Sequence, residues 1–218
     1  MDAGFSTLGA RSLDTYVSSI RSLVDDRELL SANREKLADT AVRLFRERGF
    51  HHTSTRDIAR AAGMSAGALY QYIEQKEDLL VLILQKIIRT YEARLFPLEA
   101  GASSARERMD RAIEVYYRML DENSESIDLF FHEYANLGRL TKRYIAENDA
   151  RVFEALRHIV EQRVAEDGLD GVDTRFVTHN IMSMGQMWSL KRGLFREVMT
   201  LDGYIAQQKA HLEKVLRP

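Results

Sequence analysis

Residues 53–76 read "TSTRDIARAAGMSAGALYQYIEQK" and crowd polar donors among very small side chains. The Gln71 amide can bond an adenine edge bidentately, and the Arg56 fork matches a guanine edge. The hydroxyls of Thr53, Tyr70 and Tyr72 and the ammonium of Lys76 suit phosphate oxygens, which position a protein on a duplex without specifying its sequence, and Thr55 is a further DNA-binding candidate. Ser65, Ala66, Gly67 and Ala68 follow one another between these groups. Bulk at those four positions would hold the backbone away from a groove floor. The chemistry on offer is recognition of double-stranded DNA rather than the making of a bond.

Groups suited to catalysis do not gather in this way. The chain has no cysteine, which excludes thiol catalysis, thiolate zinc sites and disulfides. It has no nucleophile elbow, phosphate loop, dinucleotide fingerprint or two-histidine metal spacing. His132 and Glu133 are neighbours in sequence, and adjacent residues on a helix do not face one site. No catalytic residue, metal-ligand set or cofactor is therefore assigned. His132 and Asn180 read as satisfied buried polar groups or polar anchors in a pocket. Serine and histidine residues could still meet in space, so an enzyme stays as a weaker alternative.

Two short helices must hold the 53–76 donors. In a helix-turn-helix the first helix needs a small residue where it crosses the second, the turn needs a glycine at φ > 0, and an apolar residue on the second helix closes the small core. Ala59, Gly63 and Leu69 fill these roles, with Ile58, Ala62 and Met64 expected in the remaining buried positions. Ser54 with Asp57 three residues on makes a capping box, and Ser65 can cap the second helix. The spacing predicts helices over 54–62 and 65–72.

The rest of the chain is predicted to be all-α. Periods near 3.6 residues recur from end to end, strand-like alternation is nearly absent, and the only prolines are Pro97 and Pro218. Further helices are expected over 34–49, 76–96, 104–121, 126–136, 139–167, 173–195 and 201–216, about nine core helices in all, with breaks at Gly-, Ser- and acid-rich turns. Residues 1–30 form an N-terminal extension. Leu13, Tyr16, Val17, Ile20, Leu23 and Val24 could share one helical face, which leaves a docked helix, a frayed arm, or a helix reaching a partner subunit or DNA. The expected domains are this extension, a DNA-binding domain over 31–80, and a helical effector and dimerisation domain over 81–218.

The 218 residues have a net charge of −2, so no overall field marks a nucleic-acid partner. Residues 34–60 hold seven Lys/Arg and four Asp/Glu, a local +3. DNA affinity is thus expected to rest on a localised basic face and to fall with salt. The start "MDAGFSTLGA" lacks the features of a secretory signal, and the apolar run "LLVLIL" is too short to span a bilayer. No membrane association and a cytoplasmic location are expected.

Residues 34–80, "REKLADTAVRLFRERGF" through "TSTRDIARAAGMSAGALYQYIEQKEDLL", resemble the DNA-binding domain of the TetR family of bacterial repressors. The matching positions are Thr53, Ile58, Ala59, Gly63, Ser65, Gly67, Leu69, Tyr70, Tyr72, Lys76 and Leu79. The chain departs from the family pattern at Ile73 and Gln75, where packing or capping varies. The resemblance implies a homodimer on a palindromic operator and a C-terminal domain that binds an inducer. It also implies that 173–195 and 201–216 form a four-helix dimer bundle.

The helix expected at 173–195 is apolar around much of its circumference, with Phe176, Ile181, Met184, Met187, Trp188 and Phe195. Such a helix is buried on two sides. The Met182, Met184, Met187 and Trp188 cluster is either ordinary core or a flexible wall for a small hydrophobic effector. Residues 126–144, "SIDLFFHEYANLGRLTKRY", followed by this helix, resemble the branch of the family that responds to fatty acyl-CoA. That resemblance implies ligand contacts from Phe130, Tyr134, Asn180, Met184, Met187 and Trp188, with Arg139, Lys142, Arg143, Lys191 and Arg192 available as cations for phosphates or else standing as solvated or ion-paired surface charges. The competing reading is a helical DNA-binding or interaction protein with no small-molecule effector.

Overall fold

The computed structural model describes residues 8–20, 22–100 and 104–216, and all regular structure among them is helical. In chain order the helices are α1 (Leu8–Ser19), α2 (Arg27–Arg48), α3 (Thr55–Ala61), α4 (Ala66–Leu69), α5 (Lys76–Arg94), α6 (Ala105–Glu122), α7 (Ser124–Glu133), α8 (Arg139–Glu166), α9 (Thr174–Leu190), α10 (Arg192–Arg196) and α11 (Leu201–Val215). Short 3₁₀ turns occupy Phe96–Ala100 and Tyr134–Asn136. The chain divides into two compact units, one of residues 1–89 with 128–148 and the other of 90–127 with 149–218.

In the first unit the extension is a docked helix. Leu13 and Val17 of α1, and Ile20 just after it, are buried. The predicted stripe stops there, because α1 ends at Ser19 and Leu23 is exposed. Helix α2 begins at Arg27, seven residues before the predicted start. Its start is set by the Asp26 carboxylate, which accepts from the backbone N–H groups of Glu28 and Leu29 at 2.9 and 3.0 Å. None of residues 27–33 is buried, so this extra length adds little to the stripe that periodicity reads. Leu37, Ala41, Leu44 and Phe45 are buried as their spacing requires, and Gly49 closes α2 at φ 82°.

Helices α3 and α4 are built by local capping. Ser54 and Asp57 form the reciprocal capping box, and the Ser65 hydroxyl accepts from the Ala68 N–H. Gly63 takes φ 71° in the turn, a conformation most side chains resist. Ile58, Ala59, Ala62 and Leu69 are buried between the two helices, while Met64 is half-buried. Helix α4 is shorter than predicted. After Leu69 the N–H groups of Gln71 and Tyr72 bond three residues back, to Ala68 and Leu69, and the chain tightens out of the α-helix.

In the second unit α6, α9 and α11 are pinned together by specific contacts. The Tyr117 hydroxyl donates to the Ile181 carbonyl at 3.0 Å, and that of Tyr204 to the Met184 carbonyl at 2.8 Å. Gly185 faces α6 so closely that a Cβ there would lie 2.8 Å from Tyr117 and Leu120. The predicted 173–195 helix is broken. It ends at Leu190, and the short α10 follows, with Phe195 stacked on Trp188 at 5.7 Å between ring centres and Arg192 donating to the Ser124 hydroxyl. The Arg192 contact reaches 68 residues back in sequence, which periodicity does not report, so periodicity predicts one continuous helix.

Candidate nucleic-acid interface

The outer surface of α3 and α4 carries the groups that could meet DNA. Arg56, Arg60, Ser65, Gly67, Tyr70 and Gln71 are exposed, while Thr55, Ala66 and Ala68 are half-buried. The Tyr70 hydroxyl lies 3.0 Å from Thr55 Oγ1 and so ties the end of α4 to the start of α3. Hydrogen bonds from the Ser54 hydroxyl and backbone hold the Asp57 carboxyl below its ordinary pKa. The capping box therefore keeps its charge at neutral pH, at the N-terminal end of α3 where the helix dipole favours an anion.

Gly67 carries the most direct sign of an outside partner. Its φ is not in the left-handed region, and a Cβ added there would meet nothing nearer than Ser65 Oγ at 3.9 Å. Nothing within the protein requires glycine at this position, in contrast to Gly63 and Gly185. The absence of a side chain instead lowers an exposed surface at the first turn of α4. With Ala66 and Ala68 beside it, the backbone there can come close to a partner.

Several residues picked out as phosphate contacts are turned inward. Thr53 is buried, and its hydroxyl donates to the carbonyls of Leu44 and Gly49 at 3.2 and 2.9 Å. Tyr72 is also buried. Lys76 Nζ donates to the carbonyls of Phe50 and Thr53 at 2.8 and 3.2 Å and sits 4.2 Å above the Phe50 ring. These side chains hold the 49–53 turn against the start of α5. Lys76→Met is accordingly expected to cost about 1–2 kcal/mol of stability, since two buried carbonyls lose charged donors. The salt dependence of DNA binding should stay unchanged; a shallower slope would return Lys76 to the phosphate contacts.

The basic face is also smaller than the sequence count suggests. Arg34 is buried, Arg43 pairs with Glu47, and Arg46 pairs with Asp128. Lys36, Arg48 and Arg56 remain as exposed cations, and the exposed Arg60 lies 4.0 Å from Asp57. Arg34 is the principal residue the composition count misplaces. Its position three and four residues before the buried Leu37 and Ala38 put it on the apolar stripe of α2, which is the signal that could have found it.

The effector candidates separate. Phe130 is buried, and Tyr134 is exposed with Lys142 5.4 Å from its ring centre. On α9, Asn180, Met184 and Met187 are exposed, whereas Trp188 is fully buried and donates its indole N–H to Asp121 at 2.9 Å. Of the five candidate cations, Arg143 pairs with Glu147, Lys142 donates to the Ala135 carbonyl, and Arg192 is held by Ser124; Arg139 and Lys191 are exposed.

Asp149 was not picked out from the sequence. Burial pushes its carboxyl up to about 6, yet solvent still reaches it. Its charge raises the hydroxyl pKa values of Tyr91 and Tyr116, behind the larger effect of burial. Those two rings lie 6.2 Å apart, and Phe153, one turn along α8, packs 4.6 Å from His179. A raised carboxyl pKa means the fold disfavours the ionised form, so stability falls as pH rises from the unfolded value near 4 through about 6. Asp149→Asn is therefore expected to melt higher than the parent at pH 8 and equally at pH 4; equal melting at both would contradict the burial.

Among the described residues no three His, Cys, Asp or Glu side chains are grouped to hold a metal ion, and no helix is long and apolar enough to cross a membrane.

Comparison with known proteins agrees with this geometry. Residues 37–83 match the profile of bacterial regulatory proteins of the tetR family, and residues 102–189 match that of the tetracyclin repressor-like C-terminal domain. The chain is 25% identical to the HTH-type transcriptional regulator HbdR of Aromatoleum sp. (strain CIB) over 189 residues, 87% of this chain and 82% of HbdR. It is 29% identical to the HTH-type transcriptional repressor KstR2 of Rhodococcus jostii over 113 residues, 52% of this chain and 55% of KstR2. Among solved structures, AibR in complex with isovaleryl coenzyme A and operator DNA superposes with a TM-score of 0.68 at 20% identity, covering 82% of this chain and 97% of AibR.

Proposed function

We infer that this chain, which belongs to the TetR family of bacterial regulatory proteins, is a ligand-responsive transcriptional repressor. A homodimer binds a palindromic operator through two copies of the α3–α4 motif, and a small hydrophobic effector releases it. The observation that carries this reading is the low, exposed surface at Ser65–Ala68, flanked by Arg56, Tyr70 and Gln71. A helix that reads the major groove uses its N-terminal residues against base edges, and α4 presents its smallest residues there.

The dimer is assigned to residues 173–216. One face of α9 covers its own unit with Val177, Ile181 and Trp188, while Phe176, Met184 and Met187 stand exposed on another. Val215 of α11 is exposed as well. A second copy would remove these apolar groups from water. Two motifs held about 34–36 Å apart would meet successive turns of one duplex face.

For the effector we propose an acyl-CoA, the class that AibR is described as binding. The part of the second unit around Asp149, Tyr91 and Phe153 is where we propose it seats. Met184 and Met187 would contribute only if the dimer encloses them beside it, and Phe130, Tyr134, Asn180 and Trp188 stand as further contacts to be tested. No catalytic step is assigned, and the protein would act in the cytoplasm, where bacterial operators lie. Helix α5 runs from the first unit into the second and is the natural lever between effector and DNA.

The experiment is fluorescence anisotropy of a selected operator duplex, titrated with protein with and without isovaleryl-CoA and longer acyl-CoAs. A coupling of about 1–3 kcal/mol would lower affinity about 5–150-fold. Unchanged DNA affinity with an acyl-CoA demonstrably bound would refute the ligand response.

A further inference from the structure

The carbonyls just past α4 receive donors from outside the helix-turn-helix. Gln71 O accepts the Leu23 N–H at 3.1 Å and the Ser22 hydroxyl at 3.0 Å. Tyr72 O accepts Arg34 Nε at 2.9 Å. The other arms of the same guanidinium donate to Val17 O at 3.2 Å and Ile20 O at 2.9 Å, at the end of α1. Arg34 is thus a buried three-way staple between α2, the last turn of α1 and the exit of α4. The α1 terminus presents the negative end of its dipole to this cation.

A second contact ties α1 to the start of α5. The Tyr16 hydroxyl lies 3.4 Å from Asp78 Oδ1, while Asp78 Oδ2 accepts the N–H groups of Glu74 and Gln75 at 2.9 and 3.0 Å. Asp78 is itself buried. The chain from 70 to 78, which carries the α4 side chains into α5, is therefore held at both ends by partners that involve residues 16–23.

Helix α4 needs such support. It is four residues long, and its exit is a tight turn. Tyr70 and Gln71, the exposed groups best placed to reach bases and phosphates, sit in that turn. A few tenths of an ångström in the Gln71 backbone would move its amide out of bidentate register with a base edge. Phosphate contacts tolerate such shifts better, because they are made by long, mobile cations.

We propose that residues 13–20 and 22–24, clamped by Arg34, are a positioning element for DNA reading, fixing the exit of α4 so that Gln71 and Tyr70 meet their targets. Arg34 acts through the backbone of residues 71 and 72 and does not touch DNA. Lysine could not replace it, since one ammonium cannot span three carbonyls on two elements. This inference rests on the DNA-binding reading above.

The test uses full-length Arg34→Met and, separately, Ile20→Glu, which puts a charge on the buried face of α1. Each is measured on an operator duplex selected by the parent and on a random-sequence duplex, with salt titrations and thermal melts. Both variants are expected to lose about tenfold in operator affinity. Random-sequence affinity and the salt slope should stay as in the parent, and the double variant should lose little more than either single one.

Unchanged operator affinity in folded variants would overturn the proposal. So would a joint fall on both duplexes with a shallower salt slope, because residues before 25 would then be contacting phosphates themselves. If either variant fails to fold, Ser22→Ala with Tyr16→Phe decides: an operator-selective loss of about threefold supports the proposal, and none overturns it. A parent that selects no duplex at all removes the DNA reading itself and is told apart because the parent, not the variant, fails.

Discussion

Gly67→Leu abolishes operator binding and leaves the fold intact. The position is exposed, its backbone needs no glycine, and a side chain there points into open space. Leucine is also the better helix former by most of a kcal/mol, so the melting temperature should hold or rise. On DNA the same side chain would stand between the first turn of α4 and the groove floor. Base-edge contacts are worth about 1–3 kcal/mol each, and lifting α4 by the width of a leucine breaks several together. Operator affinity should drop at least about 100-fold, with the remaining binding insensitive to sequence. Operator affinity within threefold of the parent would mean that α4 does not enter a groove by this face.

The second large effect belongs to the other unit. Trp188 is fully buried, lies 5.0 and 5.7 Å from the ring centres of Tyr204 and Phe195, and donates to Asp121 at 2.9 Å. It joins α6, α9, α10 and α11 in one cluster. Trp188→Ala should cost about 3–5 kcal/mol by lost burial and the cavity left behind, a large share of the 5–15 kcal/mol that holds a typical domain. Asp121 keeps Arg196 as a partner at 3.2 Å, so its charge is not stranded. Thermal unfolding followed by circular dichroism should shift down by roughly 10 °C. A small shift accompanied by weaker acyl-CoA binding would instead place Trp188 on the effector wall, as the Met/Trp cluster in the sequence suggests.

What the sequence reveals follows the range of the interactions involved. The Ser54–Asp57 box, the Gly63 turn and the Ser65 cap act within four residues, and each is legible from residue types alone. The buried Ile58, Ala59, Ala62 and Leu69 follow from spacing in the same way. Long-range contacts are not legible. The break after Leu190 goes with Arg192 meeting Ser124, 68 residues away, and the early start of α2, though set locally by the Asp26 cap, adds no buried residue to the apolar stripe. Periodicity sees neither.

The polar residues are least legible, because their type states what they can bond and not with whom. Lys76 and Thr53 have the chemistry of phosphate contacts, yet Thr53 bonds the Gly49 carbonyl of its own turn and Lys76 reaches the Phe50 carbonyl of that turn from the start of α5. Arg34 counts as a surface cation until its three carbonyl partners, 14 to 38 residues away, are located. Asp149 looks like any helix-surface acid until burial pushes its carboxyl up to about 6. Conversely, Gly67 is informative because the protein gives it no reason to be glycine.

The most direct measurement is selection by the purified full-length protein from a pool of random-sequence duplexes, with sequencing of the bound fraction. A dimer presenting two α4 helices should enrich an inverted repeat whose half-site centres lie about 10 base pairs apart. Enrichment of a single unpaired half-site would contradict the dimer, and no enrichment over the input pool would contradict operator recognition itself.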